Sequence, residues 1–315
     1  MTGVALAAAA GVVQAQANFP AKPVRLVVGT TPASQPDTLS RILGQKLSES
    51  WGRPVVMDIR PGAGGALAAN TVARAAPDGH TLLYALPSFA ISAVLQPNLP
   101  FDPLKDFAGV SQIGFSTNLL IVSPALGVKS VKELIALAKA QPGKIIFGSG
   151  ATGTAGHLSG ARLSVAAGIK VVHVAFKGGP EALIEVLAGR SHYTVSTMGV
   201  ALPFISEGKL LALAVTTPER SPVLPDVPTL GETISEFRRP ETSHAILAPA
   251  GTPRALLIQI AKEVARILDL PDVRERMQAI SFVAAPGTPE DCDRILRAQI
   301  EAMSRLAAEA GLRPK

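Results

Sequence analysis

The sequence has one cysteine, few aromatic residues and few charged residues, and each shortage excludes a class of protein. The single cysteine, Cys292, cannot form an internal disulfide or supply the several thiolates of a zinc or iron–sulfur site. Charged residues make up 17% of the chain, below the usual share of about 25%, which argues against a disordered chain or a coiled coil. The five histidines form no HExxH or HxH pair, so we expect no metal site.

Clusters of Lys and Arg interleaved with aromatic residues are also missing, although the chain carries 30 basic and 24 acidic residues. Aromatic residues reach only 4% of the chain, so the stacking platforms that hold nucleic-acid bases are scarce. We therefore expect no nucleic-acid partner. The net charge of +6 favours small anionic ligands instead.

No apolar run reaches the length of about 20 residues that crosses a bilayer. Residues 4–13 form a shorter unbroken apolar run, followed by the small-x-small pattern Ala15-Gln16-Ala17. This arrangement predicts a signal peptide over 1–17, with cleavage near Ala17 and export to the periplasm, although no basic residue precedes the run. The alternative is an Ala-rich helix at the start of a cytosolic protein.

Strand-like and helix-like segments alternate along the rest of the chain. The length of 315 residues predicts two domains, and the alternation predicts α/β domains with mainly parallel sheets flanked by helices. In such sheets ligands bind beyond the carboxyl ends of strands, where helix N-termini offer N–H donors and partial positive charge. Two such termini facing one cleft could hold a carboxylate, and the loops that lead into helices lie at 30–37, 61–65, 149–157 and 177–180.

A GxGxxG motif occupies residues 148–153, between a predicted strand and a predicted helix. Dinucleotide binding would require an acidic residue about 20 positions later, and the next acidic residue is Glu181, inside a predicted helix. Lys170 or Lys177 could meet the 2′-phosphate of NADP, which leaves an NADP-dependent oxidoreductase as an alternative. No GxSxG motif or nucleophile–base pair appears. We therefore expect neither an enzyme nor a cofactor, and interpret the loop as a small-anion site.

Short motifs follow one another in order along nearly the whole chain after residue 18. They are FPAKP at 19–23, the segment 27–41, RPGAGG at 60–65, APDG at 76–79, LPFDPLKDF at 99–107, SVKEL at 130–134, the segments 148–157 and 172–178, LPDVPT at 224–229 and LAPAGTP at 247–253. In this order they resemble the motifs of the tripartite tricarboxylate transporter substrate-binding receptors, the Bug family.

The resemblance implies a two-domain periplasmic binding protein of the type II, flytrap kind, which closes on a small carboxylate. One domain would be inserted in the other: domain 1 would comprise 18–120 and 243–315, and domain 2 would comprise 121–242. The chain would cross the hinge near Leu120 and near Thr242. The receptor, expected to be a monomer, would deliver its ligand to a membrane permease, or serve a signalling system instead.

The resemblance also assigns the ligand-binding residues. In the first loop the family typically has two glycines where this chain has Ala33 and Ser34, and the Ser34 hydroxyl could take over a donor role. The complete set of expected ligand-binding residues is Thr31, Ala33, Ser34, Asp37, Ser88, Ser149, Thr152, Thr154, Phe176, Ser196 and His244.

Two departures from the family pattern bear on the ligand. Ser196 stands where an acidic residue is common, so the obvious partner of a ligand ammonium group is missing. Ser243 and His244 replace aromatic residues, and His244 could lie near a second charge of the ligand. We therefore expect an anion without an amino group, such as a dicarboxylate, and an aromatic dicarboxylate is one form that it could take.

Overall fold

Two β-sheets, each covered by helices, are formed by the residues that the computed structural model describes, which are 19–32, 34–96, 98–150, 154–238 and 243–309. The predicted signal peptide at 1–17 lies outside these ranges. The strands are β1 (Val24–Val28), β2 (Val55–Ile59), β3 (Thr81–Ala85), β4 (Phe107–Ser116), β5 (Asn118–Val122), β6 (Ile146–Ser149), β7 (Val172–Ala175), β8 (Tyr193–Thr197), β9 (Leu211–Val215), β10 (His244–Pro249) and β11 (Phe282–Ala284).

The helices alternate with the strands as the sequence predicts, and they dominate the last third of the described chain. They are α1 (Gln35–Trp51), α2 (Ala66–Ala73), α3 (Pro87–Leu95), α4 (Val131–Ala140), α5 (Ala155–Ala167), α6 (Gly179–Leu187), α7 (Met198–Ser206), α8 (Leu230–Thr233), α9 (Arg254–Leu268), α10 (Pro271–Ala279) and α11 (Pro289–Glu309). The predicted α/β class is therefore confirmed.

The prediction of mainly parallel sheets is wrong, because both sheets are mixed. The first sheet has the order β11-β4-β10-β3-β1-β2, in which β1 pairs in parallel with β2 and β3, while β10 runs antiparallel to both β3 and β4. The second has the order β7-β6-β8-β5-β9, in which β5 runs antiparallel to β8 and β9. Both β5 and β10 are strands that the chain enters from the other sheet, whereas β11, which is antiparallel to β4, follows α10 of the same sheet.

We call each sheet, with the helices packed on it, a lobe. The core of the first lobe forms where α1 and α9 cover the sheet, for example through Leu43 and Val264. The core of the second lobe includes Leu134 of α4, Phe147 of β6 and Tyr193 of β8. Because helices cover both faces, β1 and β5 are almost continuously apolar and buried, as expected for central strands of a two-sided sheet.

The chain passes from the first sheet to the second at Thr117, between β4 and β5. The buried Thr117 is hydrogen-bonded to both lobes: its N–H donates to the carbonyl of Ser281 at 2.9 Å, and its carbonyl accepts from the N–H of Met198 at 3.0 Å. The return passage lies between β9 and β10 and includes residues 239–242, which are outside the described ranges.

A second contact between the lobes is apolar. Leu158 of α5, in the second lobe, packs with Ile91 of α3 and with Met303 and Leu306 of α11, all in the first lobe. All four side chains are buried. Apolar area removed from water at such a contact stabilises the arrangement in which the two lobes touch.

Candidate functional site

A cavity of about 110 Å³ lies between the lobes. One buried water needs only about 10–15 Å³, so this space can take a small organic ligand. Its wall includes the end of β4, the start of β5, the end of β8 and the residues after β9, so strands of both sheets meet there. The lining residues are Pro87, Phe115, Ser116, Asn118, Ala155, Ser159, Arg162, Thr197, Thr216, Thr217 and Phe237.

Two larger spaces are lined by other elements of the fold. A groove of about 430 Å³ lies between α9 and the segment before α11, within the first lobe. A cavity of about 150 Å³ lies on another side of the crossing at Thr117, against α10 and β11. Of these three spaces, the 110 Å³ cavity is the one where strand ends of both sheets converge, which is where open α/β folds bind ligands.

Three helices begin at this cavity. Pro87 is the first residue of α3, Ala155 is the first residue of α5, and Thr197 is the residue before α7. The first turn of a helix has backbone N–H groups without intrahelical partners and carries partial positive charge. The fold therefore brings helix N-termini of both lobes to one cavity, an arrangement suited to an anion.

The side chains that line the cavity also favour an anion over a cation. Among the described lining residues, Arg162 is the one basic side chain, and none is acidic. The guanidinium of Arg162 lies over the ring of Phe237, with 4.3 Å between Cζ and the ring centroid, and it donates to the carbonyl of Glu236. Hydroxyl and amide groups complete the polar wall, from Ser116, Asn118, Ser159, Thr197, Thr216 and Thr217.

The predicted first loop reaches this cavity indirectly. Ser34 caps α1, since its Oγ accepts from the N–H of Asp37 at 3.4 Å. The buried carboxylate of Asp37 pairs with Arg41, with 2.8 Å between Oδ1 and Nε. Thr31 is exposed, and Ala33 lies outside the described residues. The contact with the cavity wall comes from Gln35, whose Oε1 accepts from the hydroxyl of Ser116 at 2.6 Å.

The predicted second loop lies closer. Thr154 caps α5 directly before the lining residue Ala155, and its Oγ1 accepts from the N–H of His157 at 3.3 Å. Ser149 is buried at the end of β6, where its hydroxyl donates to the carbonyl of Gly150 and lies 2.7 Å from Nε2 of His173. Thr152, and with it part of the GxGxxG motif, lies outside the described residues.

Three further predicted residues adjoin the loops or the cavity. Ser88 is half-buried and follows the lining residue Pro87 in the first turn of α3. Ser196 is buried in β8, directly before the lining residue Thr197. Phe176 is half-buried after β7, and its N–H donates to the carbonyl of Ser149 at 2.9 Å.

His244 lies behind the cavity wall. It is buried between the rings of Tyr84 and Phe282, with centroid distances of 5.6 and 5.2 Å, and its Nε2 lies 3.4 Å from the hydroxyl of Ser116. Burial lowers the pKa of His244 to about 3, so its imidazole is neutral at physiological pH. A neutral imidazole can orient Ser116, but it offers no positive charge to an anion.

Several lining residues were missed by the sequence reasoning. Thr216 and Thr217 directly follow β9, so the rule that places ligands at strand ends could have found them. Arg162 and Phe237 carry no comparable signal. Arg162 lies in the middle of a helix, and Phe237 lies in the turn at Ser235–Arg238, so only the packing of α5 against this turn brings them together.

No group of three or more metal-binding side chains is found within the described ranges. In the same part of the chain, every helix is too short or too polar to cross a membrane.

Comparison with known proteins identifies the family. A family profile described as the tripartite tricarboxylate transporter family receptor, TctC, matches residues 39–312. Protein BugT of Bordetella pertussis (strain Tohama I) is 30% identical over 300 residues, which cover 95% of this chain and 92% of that protein.

Solved structures give the same result. The structure of R. palustris Rpa4515 with adipate matches with a TM-score of 0.77 and 31% identity, covering 94% of this chain and all of that one (100%). MatC from Rhodopseudomonas palustris with bound malate matches with a TM-score of 0.72 and 27% identity, covering 91% of this chain and 99% of that one. The chain therefore belongs to the tripartite tricarboxylate transporter receptor family and is a periplasmic solute-binding receptor.

Proposed function

We propose that this receptor captures a dicarboxylate without an amino group in the cavity between its lobes. The observation that carries the proposal is the composition of the wall, which combines Arg162, hydroxyl groups and helix N-termini with no acidic side chain among its described residues. A ligand ammonium group would find no carboxylate to pair with among the described lining residues. An anion with two carboxylates instead finds donors on both sides of the cavity.

The two ligand-bound relatives support this ligand class. The R. palustris Rpa4515 structure contains adipate and the MatC structure contains malate. Both ligands carry two carboxylates and no amino group. The sequences of these relatives are 31% and 27% identical to this chain, so the ligand of this receptor has to be identified by measurement.

The predicted binding residues would then contribute in different ways. Thr154 and Ser88 lie beside lining residues at helix N-termini and would contact the ligand when the lobes close. Ser34 would act through α1, because its cap fixes the turn from which Gln35 holds Ser116. Ser149, buried and hydrogen-bonded, would support the second loop rather than bind the ligand.

The lobes would act as two domains that close around the ligand, with the first boundary at Thr117 rather than at the expected residue 120, because all of β5 belongs to the second sheet. Thr117, hydrogen-bonded to both lobes, lies at one passage of the chain and is suited to a hinge. A ligand that bridges the lobes stabilises the closed state by its differential affinity for it. The closed, monomeric receptor, without its signal peptide and without a catalytic role of its own, would then dock on the membrane permease of a tripartite transporter.

Native mass spectrometry of freshly purified protein, followed by isothermal titration, tests the proposal. The titrants are succinate, adipate, malate and phthalate, with aspartate as the amino-bearing comparison and NADPH as the cofactor comparison. We expect at least one dicarboxylate to bind more tightly than aspartate. Binding of NADPH with no response to any carboxylate would overturn the proposal, as would a clear preference for aspartate.

A further inference from the structure

We infer that Arg162 binds one carboxylate of the ligand and thereby sets the preference of the receptor for dianionic over monoanionic acids. The inference rests on the proposed function and adds to it a specificity-determining residue. The second carboxylate would bind at the helix N-termini, which a monocarboxylate can use equally well.

The first argument is the position of Arg162 along α5. Ala155, Ser159 and Arg162 all line the cavity, and their spacing of four and three residues places them on one face of the helix. At a rise of about 1.5 Å per residue, the backbone of Arg162 lies about 10 Å along the axis from that of Ala155. Helical side chains lean toward the N-terminus, so the guanidinium comes nearer to the start of α5. This wall has a helix N-terminus at one end and a cation further along, an arrangement that would fit a short extended dicarboxylate.

The second argument is that the guanidinium is oriented before any ligand arrives. It lies over the ring of Phe237, with Cζ 4.3 Å from the ring centroid, and it donates to the carbonyl of Glu236. Phe237 belongs to the buried core of the second lobe, so the ring is itself fixed. An arginine held in one plane loses less conformational entropy when it binds a carboxylate than a mobile one does.

The competing explanation is that Arg162 only ties α5 to the turn at Ser235–Arg238. A tether and a ligand-binding residue differ in one measurable respect. Loss of a tether changes the affinity for all acids together, whereas loss of a carboxylate-binding residue changes the affinity for dicarboxylates alone. The ratio of the two affinities therefore separates the roles.

The experiment compares matched acids by isothermal titration, adipate with hexanoate and succinate with butyrate. The variants are Arg162→Met and Arg162→Lys. Arg162→Met keeps a long unbranched side chain but removes the charge, and Arg162→Lys keeps the charge but removes the planar guanidinium. Arg190→Met is the control, because Arg190 lies on the surface of the same lobe, paired with Glu185.

We expect Arg162→Met to weaken dicarboxylate binding by about 10- to 100-fold, the range of a charge-assisted hydrogen bond. The affinity for monocarboxylates should change by less than about threefold. A change of that size is smaller than the loss of one charge-assisted hydrogen bond. Arg162→Lys should recover part of the loss, and Arg190→Met should match the unsubstituted protein.

An unchanged ratio of dicarboxylate to monocarboxylate affinity in Arg162→Met would overturn the inference and leave the proposed function intact. Failure of the unsubstituted protein to bind any carboxylate would overturn both. If Arg162→Met does not fold, Arg162→Lys and Phe237→Leu carry the test. Phe237→Leu keeps an apolar side chain in the core and removes the ring beneath the guanidinium. The ratio of dicarboxylate to monocarboxylate affinity should therefore fall in this variant too.

Discussion

The hydroxyl of Ser116 donates a hydrogen bond to Oε1 of Gln35 at 2.6 Å and lies 3.4 Å from Nε2 of His244. This single side chain thus joins the end of β4 to the first turn of α1 and to β10. Because Ser116 also lines the cavity between the lobes, the three elements are fixed relative to the candidate site. The contact explains how a first loop that does not itself line the cavity can still affect it.

Ser116→Ala should lower the free energy of unfolding by about 1–3 kcal/mol, because Gln35 and His244 each lose a partner in a buried region. Urea denaturation followed by circular dichroism measures this change. Ser206→Ala, at an exposed position of α7, is the control and should stay within about 0.5 kcal/mol of the unsubstituted protein. Equal stability of both variants would show that the Ser116 contacts contribute nothing.

Leu158→Ala should open the two lobes. Leu158 and Leu163 are both buried leucines of α5, but Leu158 packs against the first lobe and Leu163 packs in the core of the second. Each substitution should cost about 2–5 kcal/mol of stability. Only Leu158→Ala should increase the radius of gyration of the ligand-free protein in small-angle X-ray scattering and weaken carboxylate binding, because it lowers the population of closed receptor. The same increase in Leu163→Ala would contradict this prediction.

His244 should make the protein less stable in acid. Burial lowers the pKa of His244 in the folded state to about 3, whereas an unfolded histidine has a pKa of about 6.5. Between these values the unfolded state binds a proton that the folded state does not. Stability is therefore complete above pH 6.5 and falls as the pH decreases toward 3, by about 1.4 kcal/mol per pH unit for this histidine.

His244→Phe keeps a ring between Tyr84 and Phe282 and removes this proton uptake. Urea denaturation from pH 6 to pH 4.5 gives the slope of the unfolding free energy against pH. This slope should be smaller than in the unsubstituted protein by about 1.4 kcal/mol per pH unit, which corresponds to one proton taken up on unfolding. An identical slope in the two proteins would mean that His244 already takes up its proton in the folded state.

Thr154→Ala should weaken carboxylate binding by disturbing the N-terminus of α5 at the cavity. Removal of a helix cap costs about 0.5–2 kcal/mol. Ser130→Ala removes a comparable cap from α4, where the serine accepts from the N–H of Glu133 at 3.2 Å and does not line the cavity. Thermal unfolding should show similar losses for both, and isothermal titration should show weaker binding only for Thr154→Ala. A normal affinity in Thr154→Ala would exclude this cap from the site.

Local sequence signals predict the elements of this fold better than their arrangement. For example, α1 ends at Trp51 because Gly52 adopts the left-handed conformation with φ of 60° that glycine tolerates best, and a glycine after an apolar-periodic segment is a stop signal visible in the sequence. The direction of β10 is not a local property. It depends on the side from which the chain returns after forming the second lobe, and no residue within His244–Pro249 records this.

The candidate site likewise contains residues that local sequence signals indicate and residues that they do not. Thr154 is next to a lining residue and lies in a loop that the sequence marks as the start of a helix, whereas Ser88, also next to a lining residue, lies outside the loops so marked. Arg162 could not be found, because nothing local distinguishes it from an arginine on a solvated helix face. Its role depends on Phe237, which is 75 positions away and meets it only in the folded protein.

The position of β10 between β3 and β4 also bears on the order in which the protein can be made and folded. Before residue 249 has been synthesised, β3 and β4 lack the strand that joins them, and β4 also lacks its other partner β11, so the sheet of the first lobe is limited to β3, β1 and β2. Pairings between residues so distant in sequence form late and slowly. The second lobe, whose strands β5 to β9 follow one another without interruption, is therefore fully synthesised before the first lobe can complete its sheet.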